Sequence, residues 1–146
     1  MTRYYDTGIL IKLYTPEPES RKVQRFVSGY GKAIPIHAFH LAEFASAFHL
    51  KVFRGESQID QANRALADVE EDRRAGVLYD LVPDWELVWL RCVQYATAHS
   101  AETGCRTLDT LHIACAVEMG FREFVTSDRR QAAMAKRLGL MVYNPT

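Results

Sequence analysis

Short apolar runs along this chain give way, again and again, to longer stretches in which an apolar residue returns every third or fourth position, a pattern of strands feeding helices. Arg3 to Asp6 predicts a short strand ending in a carboxylate, and Thr7, Gly8 and the run Ile9 to Leu13 predict the helix that follows it. Pro16 and Pro18 break that helix, and the Glu-Ser-Arg-Lys stretch after them begins a second one with Val23, Phe26 and Val27 as its inner stripe and Gly29 and Gly31 at its end. Ala33 to His37 reads as the next strand. Ala38 to Arg54 reads as a long helix with Leu41, Phe44, Ala45, Phe48 and Val52 along one face, and Gly55 finishes it. Ser57 to Arg74 is the most polar helix, an outer element or arm carrying Ile59, Ala62, Leu66 and Val69. Gly76 releases it into a strand from Val77 to Val82, and Pro83-Asp84 starts a helix bearing Leu87, Val88, Leu90, Val93, Tyr95 and Ala96.

The rest of the chain is organised around Arg106 to Leu140, which reads helix, strand, helix. Thr107 is placed to cap a helix through Leu108, Leu111, Ile113, Ala114, Cys115 and Val117, apolar on most of its circumference and so packed on more than one side. Gly120 stops it, Glu123 to Thr126 reads as a strand, and Asp128 opens a further helix that Gly139 ends. A last strand, Leu140 to Tyr143, is stopped by Asn144-Pro145. This alternation predicts one α/β domain over residues 1–146, with a mostly parallel sheet, helices on both faces and right-handed crossovers. It contains no internal repeat, low-complexity tract or linker.

A chain of 146 residues can bury roughly two thirds of its unfolded surface without disulfides. Its 48% hydrophobic and 25% charged content is that of a soluble domain, with no signal peptide and no apolar run long enough for a bilayer, so the expected compartment is cytoplasmic and no membrane contact is expected. Cys92, Cys105 and Cys115 are widely spaced and form no Cys-x-x-Cys pair, which suggests core residues rather than a disulfide framework or a zinc site. Eighteen basic against eighteen acidic residues argue against a protein that adheres non-specifically to nucleic acid, so contact with nucleic acid requires a local basic patch.

No Gly-x-Gly-x-x-Gly follows the first strand, no Walker-type loop is present, and a Ser or Cys nucleophile lacks its elbow. What remains is a set of acids, Asp6, Glu43, Asp109 and Asp128, each near the carboxyl end of a predicted strand or on a helix that follows one. Singly each has an ordinary explanation: Asp109 as a charge stabilised by its helix amino terminus, Asp128 as an N-cap, Glu43 as an exposed glutamate. Ligands of open parallel sheets nevertheless collect at the carboxyl edge. Two carboxylates about 5 Å apart at an effective dielectric near 20 repel by roughly 3 kcal/mol, and a hard divalent cation relieves that. Mg2+ suits an all-oxygen site, Mn2+ accepts the same ligands, and both serve phosphoryl chemistry. Four acids in a neutral chain also make a local negative well that a cation from another chain could plug.

The segments YYDTGILIKLY (Tyr4 to Tyr14), HLAEFASAF (His40 to Phe48), RTLDTLHIACA (Arg106 to Ala116) and VTSDRRQAAMAKRLGLMVYNP (Val125 to Pro145) together resemble, in order and spacing, the PIN-domain ribonucleases, in particular the VapC-like toxins of toxin-antitoxin pairs. The resemblance spans essentially the whole chain. It implies a three-layer α/β/α fold with a five-stranded sheet of order 3-2-1-4-5, and hydrolysis of RNA by water attack with Mg2+ or Mn2+. Asp6, Glu43, Asp109 and Asp128 would be catalytic, with Asp6, Asp109 and Asp128 as metal ligands. Thr7 and Thr126 would supply hydroxyls, although the usual Asp-Thr-Ser is here Asp-Thr-Gly, so Gly8 offers no second one. A VapB-like antitoxin that directs an arginine or lysine at the acids, along a groove by the Ile9 to Tyr14 helix and the Ala38 to Arg74 pair, and a toxin homodimer, are the implied partners.

Arg106 reads equally as a helix-end ion pair or as a contact to a site acid or RNA phosphate, and His112 as a hydrogen-bonded core histidine. Lys12, Arg129 and Arg130 are solvated charges by default and phosphate contacts by option, while Tyr4, Tyr5, Trp85 and Trp89 are expected in the core. Two other readings remain. A non-catalytic adaptor would keep the fold to bind protein, though it would have no need of all four acids; a phosphoacceptor domain would gather acids at the sheet edge, though the adjacent acidic pair expected after the first strand is missing.

Overall fold

The computed structural model describes residues 3–146. In chain order the elements are β1 (Arg3–Tyr5), α1 (Thr7–Tyr14), α2 (Ser20–Tyr30), β2 (Ile34–Ile36), α3 (Ala38–Phe53), α4 (Ile59–Arg74), β3 (Leu78–Asp80), α5 (Trp85–Thr103), α6 (Thr107–Glu118), β4 (Glu123–Val125), α7 (Arg129–Arg137) and β5 (Met141–Tyr143). They fall into two compact units, one of residues 3–6 with 82–146 and one of residues 7–81.

In the first unit β1, β4 and β5 form a parallel ladder in that order, with Tyr4 opposite Phe124 and Phe124 opposite Val142. Tyr4 and Phe124 are both fully buried and stack at 5.4 Å with rings 10° apart. Helix α6 is buried without interruption from Thr110 to Ala116, as its all-round apolar sequence requires. Its start differs from the expected one. Arg106, extended at φ −84° and ψ 165°, holds the cap position, and Thr107 is already helical. The reason is local: the Arg106 carbonyl accepts both the backbone N–H and the hydroxyl of Thr110, each at 2.9 Å, so the first helical bond closes one residue earlier. Gly120, at φ +80°, turns the chain out of the helix in a conformation side-chain-bearing residues avoid.

In the second unit β2 and β3 pair in parallel, Ile34 against Leu78 and Ile36 against Asp80. Of the predicted 3-2-1-4-5 order, the neighbours 1-4-5 and 3-2 are paired, in a three-stranded and a two-stranded ladder rather than one five-stranded ladder. Helix α3 buries the i, i+4, i+8 row His40, Phe44 and Phe48, while Leu41, Ala45 and Val52 are only half-buried. Helix α4 buries Ala62, Ala65 and Val69, and leaves Ile59 exposed in its first turn. The Tyr14 hydroxyl donates to Asp72 Oδ2 at 2.6 Å, tying α1 to α4. Lys12 is not a free surface charge. It and Lys51 both donate to Glu17, at 3.1 and 3.2 Å.

Strands are shorter than their apolar runs. Val77 and Val82 lie outside β3 and are exposed, because β3 pairs only over Leu78–Asp80. Tyr4 and Tyr5 are buried as expected and Trp85 is half-buried, but Trp89 is 46% exposed, on the outer side of α5 with Leu90 and Val93. All three cysteines are buried and unpaired. Among the described residues no helix is long and apolar enough to cross a membrane.

Candidate active site

The parallel ladder sets the first positions of the site. The Asp6 N–H donates to the Val125 carbonyl at 3.0 Å, and the Thr126 N–H to the Tyr143 carbonyl at 3.0 Å, so Asp6 and Thr126 leave neighbouring strands at the same, carboxyl, edge. Two residues on, Asp128 caps α7: its Oδ1 accepts the Gln131 N–H at 2.8 Å, and its own N–H donates to Thr126 Oγ1 at 3.0 Å. Asp109 sits in the first turn of α6, where the helix dipole favours a negative charge.

Asp109 and Asp128 line one recess of about 510 Å³ together with Arg106, Arg129 and Arg130. The ordinary reading of Asp128 as an N-cap therefore holds, and its exposed carboxylate faces the recess as well. The lining is not the purely negative well that the acids alone suggest, because three arginines share it. The Arg130 side chain lies beside Gly104, where an added Cβ would meet the Arg130 Cδ at 3.4 Å, an ordinary contact.

Gln131 joins these pieces. It is fully buried, and its Nε2 donates to Asp6 Oδ1 at 3.0 Å and to the Asp109 carbonyl at 3.2 Å, while its Oε1 accepts the Thr126 hydroxyl at 2.5 Å. Gln131, Met134 and Ala135 form the buried row of α7, and a carboxamide in an apolar row needs partners, which the sequence alone did not point to. His112 is the buried core histidine expected, with Nδ1 2.6 Å from the Tyr4 hydroxyl, yet its Nε2 also lies 3.9 Å from Asp6 Oδ1. The acids are felt at Cys105, whose thiol is pushed up to about 11, first by burial and further by the charges of Asp109 and Asp128, against a hydrogen bond from Thr110 that lowers it. In the other unit, the Thr7 hydroxyl donates to Glu43 Oε1 at 2.7 Å, which holds the half-buried Glu43 on α3 against the start of α1.

Residues 3–137 match the PIN domain family. The chain belongs to it. The fold of this PIN domain is similar to that in the crystal structure of FitAcB from Neisseria gonorrhoeae, with a TM-score of 0.65 at 17% identity, covering 99% of this chain and 98% of the other. It is similar also to VapBC-1 from nontypeable Haemophilus influenzae, with a TM-score of 0.64 at 15% identity, and to VapBC2 from Rickettsia felis bound to a DNA fragment from its promoter, with a TM-score of 0.62 at 16% identity, each covering 99% of this chain and 98% of the other. No curated protein matches its sequence.

The donor set of this PIN domain suits a hard divalent cation. Asp6, Asp109 and Asp128 offer carboxylate oxygens only, and Asp6, with 17% of its side chain exposed, is held on one oxygen by a neutral amide rather than neutralised by it.

Proposed function

We propose that this PIN domain is a metal-dependent endoribonuclease that hydrolyses RNA phosphodiester bonds, and that it is the toxin of a toxin-antitoxin pair restraining translation or growth. The observation that carries the reading is the recess in which Asp109 and Asp128 stand among Arg106, Arg129 and Arg130, with Asp6 tied to the same two helices through Gln131. Acids that can hold a cation beside arginines that can hold phosphate are what cleavage of a polyanion needs.

Asp6, Asp109 and Asp128 would hold Mg2+ or Mn2+, which when bound lowers the pKa of a water and offsets charge on the scissile phosphate. Glu43, oriented by Thr7, is the fourth catalytic acid on the family resemblance. Thr126 spends its hydroxyl on Gln131 and acts by fixing that side chain. Arg106, Arg129 and Arg130 bind phosphate and orient the strand.

The fold's likeness to FitAB bound to an IR36 DNA fragment, with a TM-score of 0.67 at 17% identity, and to the VapBC complexes supports an antitoxin partner of the VapB kind, and a homodimer is proposed with it. Thermal melts of the purified chain with Mg2+ or Mn2+ against chelator, beside cleavage of a mixed RNA substrate, test the nuclease. At a metal concentration a hundredfold above Kd the stabilisation is about 2.7 kcal/mol. Equal melting temperatures with no cleavage would remove the reading. Failure of any co-expressed neighbouring gene product to relieve growth arrest would remove the toxin-antitoxin role alone.

A further inference from the structure

We infer that Gln131 is a positioning residue for the metal-binding acids, a role that rests on the nuclease reading above. A buried primary amide is unfavourable unless its donors and its acceptor are paired, and here all are. Both Nε2 hydrogens are used, on Asp6 Oδ1 and on the Asp109 carbonyl, and Oε1 takes the Thr126 hydroxyl. The orientation of the carboxamide is dictated by its neighbours. Thr126 Oγ1 accepts the Asp128 N–H, so its own proton points to an acceptor, and that acceptor is Gln131 Oε1, which leaves the nitrogen facing Asp6.

One residue therefore addresses three acids on three elements. It fixes the Asp6 carboxylate after β1 through its side chain, the first turn of α6 through the Asp109 carbonyl, and the Asp128 carboxylate through its backbone N–H. A leucine or methionine would fill the same apolar row beside Met134 and Ala135, so packing alone does not call for glutamine. A glutamate in its place would set a second carboxyl against Asp6. The neutral donor is the side chain that can hold Asp6 in one orientation while leaving its charge for a cation, and partners of this kind set metal affinity by about 10–100-fold.

Gln131→Met keeps the length and the apolar fit and removes every side-chain hydrogen bond. Calorimetric titration with Mn2+ is expected to give affinity 10–100-fold weaker than in the natural chain, and kinetics to give a raised Mn2+ half-saturation with the KM for RNA unchanged. In the natural chain, the Gln131 side-chain amide protons should exchange slowly by 15N NMR and shift on Mg2+ addition, a readout that does not require the variant to fold. Mn2+ affinity in Gln131→Met within twofold of the natural chain, or an amide pair that exchanges freely or does not respond to saturating Mg2+, overturns the role of Gln131 and leaves the nuclease standing. No Mn2+ uptake by the natural chain overturns both.

Discussion

The Tyr4 hydroxyl lies 2.6 Å from Nδ1 of His112, a buried contact 108 positions apart in sequence that joins β1 to α6 one residue short of the strand's end. His112 is also 3.9 Å from Asp6, so the core and the site meet at this ring. Tyr4→Phe keeps the stacking on Phe124 and takes the hydroxyl from a buried imidazole, and should cost about 1–3 kcal/mol in urea unfolding. A loss near zero would mean the imidazole finds another partner.

Asp128 is both an N-cap and a wall of the recess, and two substitutions separate the roles. Asn caps as well as Asp, so Asp128→Asn should leave the melting temperature nearly unchanged while RNA cleavage falls by orders of magnitude; Asp128→Ala should lose cleavage and about 1 kcal/mol besides. Asp6→Asn and Asp109→Asn should abolish cleavage in a folded chain. Activity within a few-fold of the natural chain in all three Asn variants would sink the mechanism.

The buried thiols should make stability fall on the alkaline side. Burial pushes Cys115 up to about 12, with a smaller push from Cys92, and Cys105 is raised to about 11. A raised thiol pKa favours the folded state's neutral form, so its contribution is intact below the unfolded value near 9 and is lost as pH rises toward the folded one, at about 1.4 kcal/mol per pH unit for each thiol. Chemical unfolding from pH 8 to 10.5 should show the decline, and Cys115→Ala should flatten its slope whatever it does to the starting stability. An unaltered slope would place the titration elsewhere.

The acid side has its own group. Burial alone would raise the Glu17 carboxyl, but hydrogen bonds and charge from Lys12 and Lys51 outweigh it and hold the pKa below the usual value. Its contribution is present above the ordinary glutamate range and is lost as pH falls through that lowered value. Glu17→Gln should therefore be less stable than the natural chain at pH 7 and close to it at pH 2.5. A constant difference across that range would show that the carboxylate's charge is not what matters.

The order of elements was legible from period and punctuation because α6 is apolar all round and the other helices carry stripes, with glycines where the chain leaves Tyr30, Thr103 and Glu118. Strand length was not, since an apolar run says what can be buried and not how far a neighbour extends, as Val77 and Val82 show. Nor was the row that α3 buries: His40 lies in it where Leu41 was expected, and its ring takes the His37 N–H within the first turn, at 3.3 Å. Acids could be named from their places after strands. Gln131 could not, because its partners at Asp6 and Asp109 lie 125 and 22 positions away and only the folded ladder brings them to it.

If this PIN domain cleaves RNA as proposed, the recess lining says how it would hold the strand. Three arginines against two carboxylates leave it with more positive than negative charge before any cation binds, in a chain whose formal charge is zero. On the proposed reading it would serve as the local basic patch that a neutral chain needs to meet a polyanion. If each guanidinium contacts one phosphate, each removal should reduce the slope of log K against log salt by about 0.7, the value for single strands, and weaken binding about equally for every RNA sequence. Arg129→Ala and Arg106→Ala are expected to do this with stability changed by no more than about 0.5 kcal/mol, since both side chains are exposed. Arg130→Ala should do the same, whereas Gly104→Ala, strained at φ +69° but meeting Arg130 only at ordinary contact distance, should lower stability and leave the salt slope unchanged. Salt titrations of RNA binding in chelator, where no cation occupies the acids, isolate the arginines from the metal. Slopes that do not change in any of the arginine variants would assign the recess to the acids alone and leave phosphate recognition to another face.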